Sequence, residues 1–324
     1  MAQLRATYSS HDAGWGCTLR AQQSQVAHAL LRCGHSPLVI ADLLLSPRSE
    51  DVSDPVPVSG TGLLSFQRLL AACGSAQPGQ FIGPSVAAHG LALLSSSSSH
   101  MRALGCSVLA FPGGALSDTA ICAATSAGGS VLVLLPLRLS VADTLDAASS
   151  LSLRSIMQGE PAFAGLLGGP PQHCCLVTGL HSDSSVACLD PHSIKPSCST
   201  ARELLRHLAA PASPATYPLA SLSSTLSLGF FLEHAAAWQA FKARFFSPAG
   251  LSHHLPFLSL QSQHMEEFSA SFSRLQGMPA AWEDVDALTP HAPAVPPAPP
   301  TSHFHPLSTW VWGVYALVRN FIFY

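Results

Sequence analysis

Helical periodicity comes first in this chain and strand-length apolar runs come after it, and that order most restricts the fold. Residues 17–31 place Leu19, Val26, Ala27 and Leu30 at helical spacing, with Gly34 as a stop signal. Residues 63–72 repeat the spacing. Gly83-Pro84 opens a further helix, since proline is tolerated at the first helical position, and the serine run 95–99 ends it. Residues 106–111 and 131–137 are short runs with β-branched residues that suit buried strands. Residues 141–157 read as a helix, and 158–171, with three prolines and four glycines, as a mobile loop. Residues 173–180 and 186–190 flank Ser182-Asp183-Ser184 as a hairpin. Residues 226–232 read as a strand, and 235–246 as a helix with Trp238, Phe241 and Phe245 on one face. Helices followed by a mostly antiparallel sheet with helices around it give the α+β class.

The expected folded domain is 1–246, and 247–324 is an expected tail. Residues 293–300 are proline-rich and cannot build a core. Residues 307–324 are rich in Trp, Phe and Val, but Arg319 and Asn320 interrupt them, and a membrane span needs about 20 predominantly apolar residues. An interfacial segment or a misread coding end is expected there instead.

Charged residues make up only 10% of the 324 residues, against ~25% in ordinary proteins. With a net charge of −3, there are too few cations to neutralise many phosphates, which excludes a strongly basic nucleic-acid binder. A mean hydropathy of +0.30 argues against a wholly disordered chain. Nine cysteines, no C-x-x-C pair and no apolar leader core after Met1 point to free thiols in a reducing cytosol. The expectation is a cytoplasmic protein with no metal and no cofactor.

Two features carry chemistry. Gly14-Trp15-Gly16-Cys17 immediately precedes the first helix. A thiol there lies near the positive end of the helix dipole, which favours the nucleophilic thiolate. Asp190-Pro191-His192 closes a predicted strand. Residues two apart in an extended segment share a face, so a carboxylate and an imidazole stand side by side. A cysteine protease needs an imidazole to take and return the thiol proton and a third group to orient it. Taken singly, each feature fits a plainer reading as well: a buried cysteine in a glycine turn, and a turn after a strand. His173-Cys174-Cys175 reads as strand-opening core or edge residues, and Gln22-Gln23 as a solvated helix face.

Together and in this order, the features resemble a known family. Gly14-Trp15-Gly16-Cys17-Thr18-Leu19-Arg20 resembles the nucleophile motif of autophagin, the autophagy-related cysteine protease family, with Thr18 where that motif usually has Met. Gly79-Gln80-Phe81-Ile82-Gly83-Pro84-Ser85, Leu134-Leu135-Pro136-Leu137-Arg138-Leu139, Gly168-Gly169-Pro170, Asp190-Pro191-His192 and Leu228-Gly229-Phe230-Phe231 are similar to further family segments in family order. The resemblance implies a papain-like fold in which a central helix carrying the nucleophile packs on the sheet. It implies cleavage after the C-terminal glycine of a ubiquitin-like autophagy modifier, processing its precursor and releasing it from phosphatidylethanolamine. Membrane contact would then occur only through the lipidated substrate. By motif, Cys17 would be the nucleophile, His192 the general base and acid, and Asp190 the orienting carboxylate. Trp15, Phe81, Gly168 and Gly169 would contact substrate. Phe81 would take the place of a tryptophan over the scissile site, with residues 158–163 as the lid opposite.

The chain starts 16 residues before Cys17, fewer than the family usually has, so an incomplete N-terminus is expected. Tyr8 lies too near Cys17 to be assigned the family's oxyanion-supporting tyrosine. In the tail, Trp282-Glu283-Asp284-Val285 resembles the short motif that adds as a strand to autophagy modifiers, with Trp282 and Val285 filling alternate pockets. Phe257-Leu258-Ser259-Leu260 is a second such candidate. Two alternatives stand beside this reading: a protease for the ubiquitin-fold modifier, which shares G-W-G-C and D-P-H, and a truncated, non-catalytic modifier-binding protein.

Overall fold

The structure is a computed structural model. It describes residues 12, 14–45, 62–74, 79–98, 101, 103–126, 128–192, 200–201, 214–246 and 258–261. Four helices come first: α1 (Cys17–Arg32), α2 (Pro37–Leu44), α3 (Phe66–Ala72) and α4 (Pro84–Ser97). Ser36 caps α2, its hydroxyl accepting from Val39 N, and Pro37 follows it at the helix start; Pro84 opens α4 as the sequence predicts. There follow β1 (Cys106–Ala110), β2 (Ala115–Ser117), α5 (Asp118–Ser126), β3 (Ser130–Arg138), α6 (Ala147–Gly159), β4 (Phe163–Gly168), β5 (Cys175–Ser182), β6 (Ser185–Leu189), β7 (Ala215–Pro218), β8 (Thr225–Leu232), α7 (Ala235–Phe245) and β9 (Ser259–Gln261).

Seven strands form one sheet in the order β1-β3-β8-β4-β5-β6-β7, parallel only between β1 and β3. The expected α+β class and papain-like arrangement hold. Alternation along the strands builds two cores. Leu132 and Leu134 of β3 face the core shared with α1–α4, whereas Val131, Val133, Leu135 and Leu137 face the opposite core. On that second side α7 lays Trp238, Phe241 and Phe245 against Phe230, with ring centroids 5.1 and 5.5 Å from Phe230 for the two phenylalanines. Burying rings of this size makes α7 integral to the domain; truncating Phe241 costs about 3–5 kcal/mol by the usual measure.

Four expectations need correction. Residues 158–171 are not a mobile loop, because they contain β4, which sits between β8 and β5 inside the sheet. The glycines that suggest a loop make this strand possible. Gly165, at φ +97°, lies where the register with β8 shifts, a glycine bulge. Residues 158–163 are consequently no lid: Phe163 lies at the far end of β4, roughly 16 Å from Gly168 at the usual rise per residue. The helix expected from Val141 starts only at Ala147, because Asp146 caps it by accepting from Ser149 N at 2.7 Å, and Val141 lies out in solvent. Described residues also lie past 246. Leu258 is buried in the second core and β9 pairs in parallel with β2, which takes up the candidate motif around Leu258 and Leu260. Trp282 and Val285 lie outside the described residues.

Gln22 and Gln23 are buried, not solvated. Gln23 donates to Leu64 O at 2.8 Å, and Gln25 donates to Gly165 O at 3.1 Å. A side chain at Gly229 would run into the Gln25 amide. Gln25 thus fastens α1 to the middle of the sheet through a gap lined by two glycines. That contact sets the height of Cys17, at the end of the same helix, over the strand ends.

Candidate active site

Cys17 is the first residue of α1. Gly14, at φ +86°, turns the chain into the helix, and a Cβ at Gly16 would collide with the Asp12 side chain. Asp12 closes the turn. Its carbonyl accepts from Gly16 N at 2.9 Å, and its carboxylate accepts from Arg20 Nε at 2.7 Å. Trp15, expected to contact substrate, is instead core: it is buried and packs edge-on to Phe66 at 5.3 Å. Tyr8 lies outside the described residues.

Asp190 and His192 follow β6. They meet through a turn, not through an extended strand, because Asp190 Oδ1 accepts from His192 N at 3.0 Å. The same oxygen accepts from His192 Nδ1 at 2.5 Å, leaving the other ring nitrogen for Cys17, to which His192 is hydrogen-bonded. Burial tends to raise the Cys17 pKa. The His192 imidazole and the Cys174 backbone N–H together outweigh it and hold the thiol below its ordinary range. Burial likewise opposes the His192 cation, yet Asp190 and Cys17 raise its pKa to about 9. The Asp190 carboxyl also resists burial and is held far below the usual carboxylate range by His173, His192 and Tyr217. Both shifts run toward a thiolate–imidazolium pair, anchored by a carboxylate.

His173, dismissed in the sequence as a core or edge residue, lies in the turn before β5 and belongs to this site. Its ring stacks on that of His192 at 3.5 Å and 18°. Its Nε2 lies 3.3 Å from Asp190 Oδ2. Tyr217 of β7, which no sequence motif singled out, donates to Asp190 Oδ2 at 2.8 Å. Neither had a legible signal, because residues 173, 190 and 217 lie far apart in sequence and only the pairing of β5, β6 and β7 brings them together. Cys174 is buried with its thiol pKa pushed up, so its contribution to Cys17 is its backbone N–H. Gly168 and Gly169, expected to contact substrate, lie in close packing: a side chain at Gly169 would overlap the His173 carbonyl, and one at Gly168 would press on Leu166 and Leu226. Phe81 does present an exposed ring just before α4, which packs on α1.

Ligand atoms of His173, Asp190 and His192 lie within 4.8 Å of one another, the spacing of a metal site. They are already joined to each other, to Tyr217 and to Cys17, which is the arrangement of a proton-transfer network. The eight described cysteines are all free thiols. Among the described residues no helix is long and apolar enough to cross a membrane.

A helix-borne thiol, acidified by an imidazole that a carboxylate orients from the sheet, defines the class of the cysteine peptidases. The chain belongs to the peptidase C54 family, whose catalytic domain matches residues 59–244. That stretch contains Asp190 and His192; Cys17 lies ahead of it and is joined to it by the fold. The chain is similar to a probable cysteine protease ATG4 of Meyerozyma guilliermondii, 30% identical over 181 residues, which are 56% of this chain and 40% of that protein. It is also similar to a probable cysteine protease ATG4 of Pichia angusta, 27% identical over 188 residues, 56% of this chain and 36% of the relative. The chain therefore spans well under half the length of these curated relatives.

Proposed function

We propose that this protein is a cytoplasmic thiol protease that cuts after the C-terminal glycine of a ubiquitin-like autophagy modifier. It processes the modifier's precursor and releases the modifier from phosphatidylethanolamine. The observation that carries the reading is the Cys17–His192–Asp190 arrangement, with the thiol acidified and the imidazole made basic in one contact. Family membership supports the choice of substrate. In this reading the Cys17 thiolate attacks the carbonyl carbon of the glycine. Imidazolium His192 then gives its proton to the leaving amine, and afterwards takes one from the water that hydrolyses the thioester. Asp190 holds the His192 ring through Nδ1 in both steps. Exposed Phe81 covers one side of a slot that admits glycine because glycine has no Cβ. Trp282 and Val285 add affinity by pairing with the modifier as an extra strand.

The test is cleavage of a modifier precursor, and of modifier conjugated to phosphatidylethanolamine in vesicles, by the wild type and by Cys17→Ser. Both cleavages are expected for the wild type and neither for the variant. Cleavage of a ubiquitin-fold modifier precursor alone would overturn the substrate assignment. Iodoacetamide labelling must be mapped peptide by peptide. Cys33 and Cys106 share a thiol–thiol contact that favours ionisation of one of the pair, so labelling has to be assigned to Cys17 by peptide.

A further inference from the structure

A catalytic triad uses one oxygen of its carboxylate, and in this site Asp190 Oδ1 takes both bonds from His192. Oδ2 is not left to solvent. Tyr217 Oη lies 2.8 Å from it, His173 Nε2 3.3 Å from it, and the phenol and imidazole are 3.0 Å from each other. We propose that Tyr217 and His173 are positioning residues, joined with Asp190, His192 and Cys17 in a single relay of five side chains.

The hydrogen bookkeeping admits one consistent arrangement. The phenol has a single proton, and a carboxylate is its stronger acceptor, so Tyr217 donates to Oδ2. The phenol oxygen then faces His173 Nε2 with a lone pair, which requires that nitrogen to carry hydrogen. Burial and the Asp190 charge push the Tyr217 pKa up, so the phenol stays a donor throughout the working range. With both oxygens engaged, the Asp190 carboxylate cannot rotate about its own bond, and His192 Nδ1–H has one fixed target. His173 adds a second restraint by lying parallel to the His192 ring at 3.5 Å, which opposes tilting of the ring away from Cys17. The three anchors come from three places: the turn before β5, the end of β6 and the edge strand β7. The relay therefore also couples the edge of the sheet to the thiolate.

This proposal rests on the assignment of Cys17, His192 and Asp190 as the triad, and the test separates the two. Tyr217→Phe keeps the ring and its edge-on packing against His173 and removes only the hydroxyl. The Cys17 thiolate is titrated by its ultraviolet absorbance, as a difference against the same protein carrying Cys17→Ser, which cancels the other thiols and needs no substrate. In Tyr217→Phe the midpoint should move up toward that of an ordinary thiol. Turnover should fall roughly tenfold, the order expected for one lost hydrogen bond to a charged group. KM and the thermal midpoint should stay at their wild-type values. His173→Gln, which keeps an N–H donor, should retain more turnover than His173→Leu. A wild-type protein whose Cys17 titrates as an ordinary thiol overturns the triad and the relay with it. A Tyr217→Phe protein with wild-type titration and turnover overturns the relay alone. So does a loss of turnover that comes only with a lower thermal midpoint, which would make Tyr217 a packing residue.

Discussion

Replacing Gly169 by alanine should damage the site without touching any residue of the triad. Gly169 does not carry a positive φ, so the added methyl group meets a packing problem and not a backbone one. Its Cβ would overlap the His173 carbonyl oxygen, lie 3.1 Å from that carbonyl's carbon and 3.4 Å from Cys175 Sγ. The obstacle is backbone, so no side-chain rotation relieves it. Restoring ordinary contact requires the turn from Gly169 to His173 to open by on the order of 1 Å. That turn is held by His173 N donating to Pro170 O at 2.9 Å and by Ser223 N donating to Gly169 O at 2.6 Å. Opening it drags the His173 ring off His192 and moves the Cys174 N–H that helps hold Cys17 as thiolate. Overpacking of this kind costs about 1–3 kcal/mol of stability. A misplacement of about 1 Å near a reacting group can cost ~100-fold in rate. The expected result for Gly169→Ala is a kcat/KM on a modifier precursor lower by about two orders of magnitude, with a Cys17 thiolate midpoint shifted upward. Gly159→Ala, where nothing lies within 4 Å of the added atom, is the control and should leave both unchanged. Wild-type turnover in Gly169→Ala would refute the reasoning, since it would mean that the turn absorbs the methyl group without moving His173.

The pH profile of kcat/KM should rise as Cys17 ionises below its ordinary range and fall on the alkaline side as His192 passes its pKa of about 9. The same His192 shift contributes stability that is full below pH 6.5 and is lost between there and about 9, measurable as a falling urea midpoint that His192→Gln does not show. His28 has the opposite sign: burial, with Arg32 nearby, lowers its pKa to about 4, so stability present above pH 6.5 is lost on acidification toward 4, and His28→Asn should flatten that limb. Arg244→Ala leaves the fully buried Glu160 carboxylate without its partner and should cost roughly 2 kcal/mol in urea unfolding. That is below the cost of breaking a fully buried pair because Arg244 is 39% exposed. Trp282→Ala combined with Val285→Ala should raise KM for a full-length precursor at unchanged kcat, since a contact away from the scissile bond acts as uniform binding.

The sequence made α1, the buried strands β1, β3 and β8, and helix α7 legible because their side-chain spacing is dictated by one or two cores. Leu19, Val26 and Leu30 have helical spacing because they pack in the apolar core, although α1 is buried on most of its surface. Trp238, Phe241 and Phe245 share a face because Phe230 lies beneath them. β4 was not legible for the opposite reason. Its glycines serve contacts across the sheet: Gly165 receives the Gln25 amide, and Gly168 lies against Leu226. A glycine chosen for close approach looks in sequence like a glycine chosen for flexibility. Gln22 and Gln23 failed similarly, since polarity marks exposure only until a buried partner such as the Leu64 carbonyl is known.

The site divides along the same line. Cys17, Asp190 and His192 could be picked out because local constraints write short motifs: a helix start needs its glycine turn, and an aspartate two residues before a histidine can cap and orient it. Tyr217 and His173 write none. Their geometry is made by the antiparallel pairing of β5 with β6 and of β6 with β7, which brings residues 173, 190 and 217 to one cluster although each is isolated in sequence. The chemistry depends on both levels. The motif places the imidazole beside its carboxylate, but nothing in Asp190-Pro191-His192 fixes which way that carboxylate turns. The second oxygen is fixed from outside the motif, by a phenol on the sheet's edge strand and a histidine in the turn that Gly169 keeps closed. Substitutions at the edge strand or in that turn should therefore be read out first in the ionisation of Cys17, before any loss of the fold.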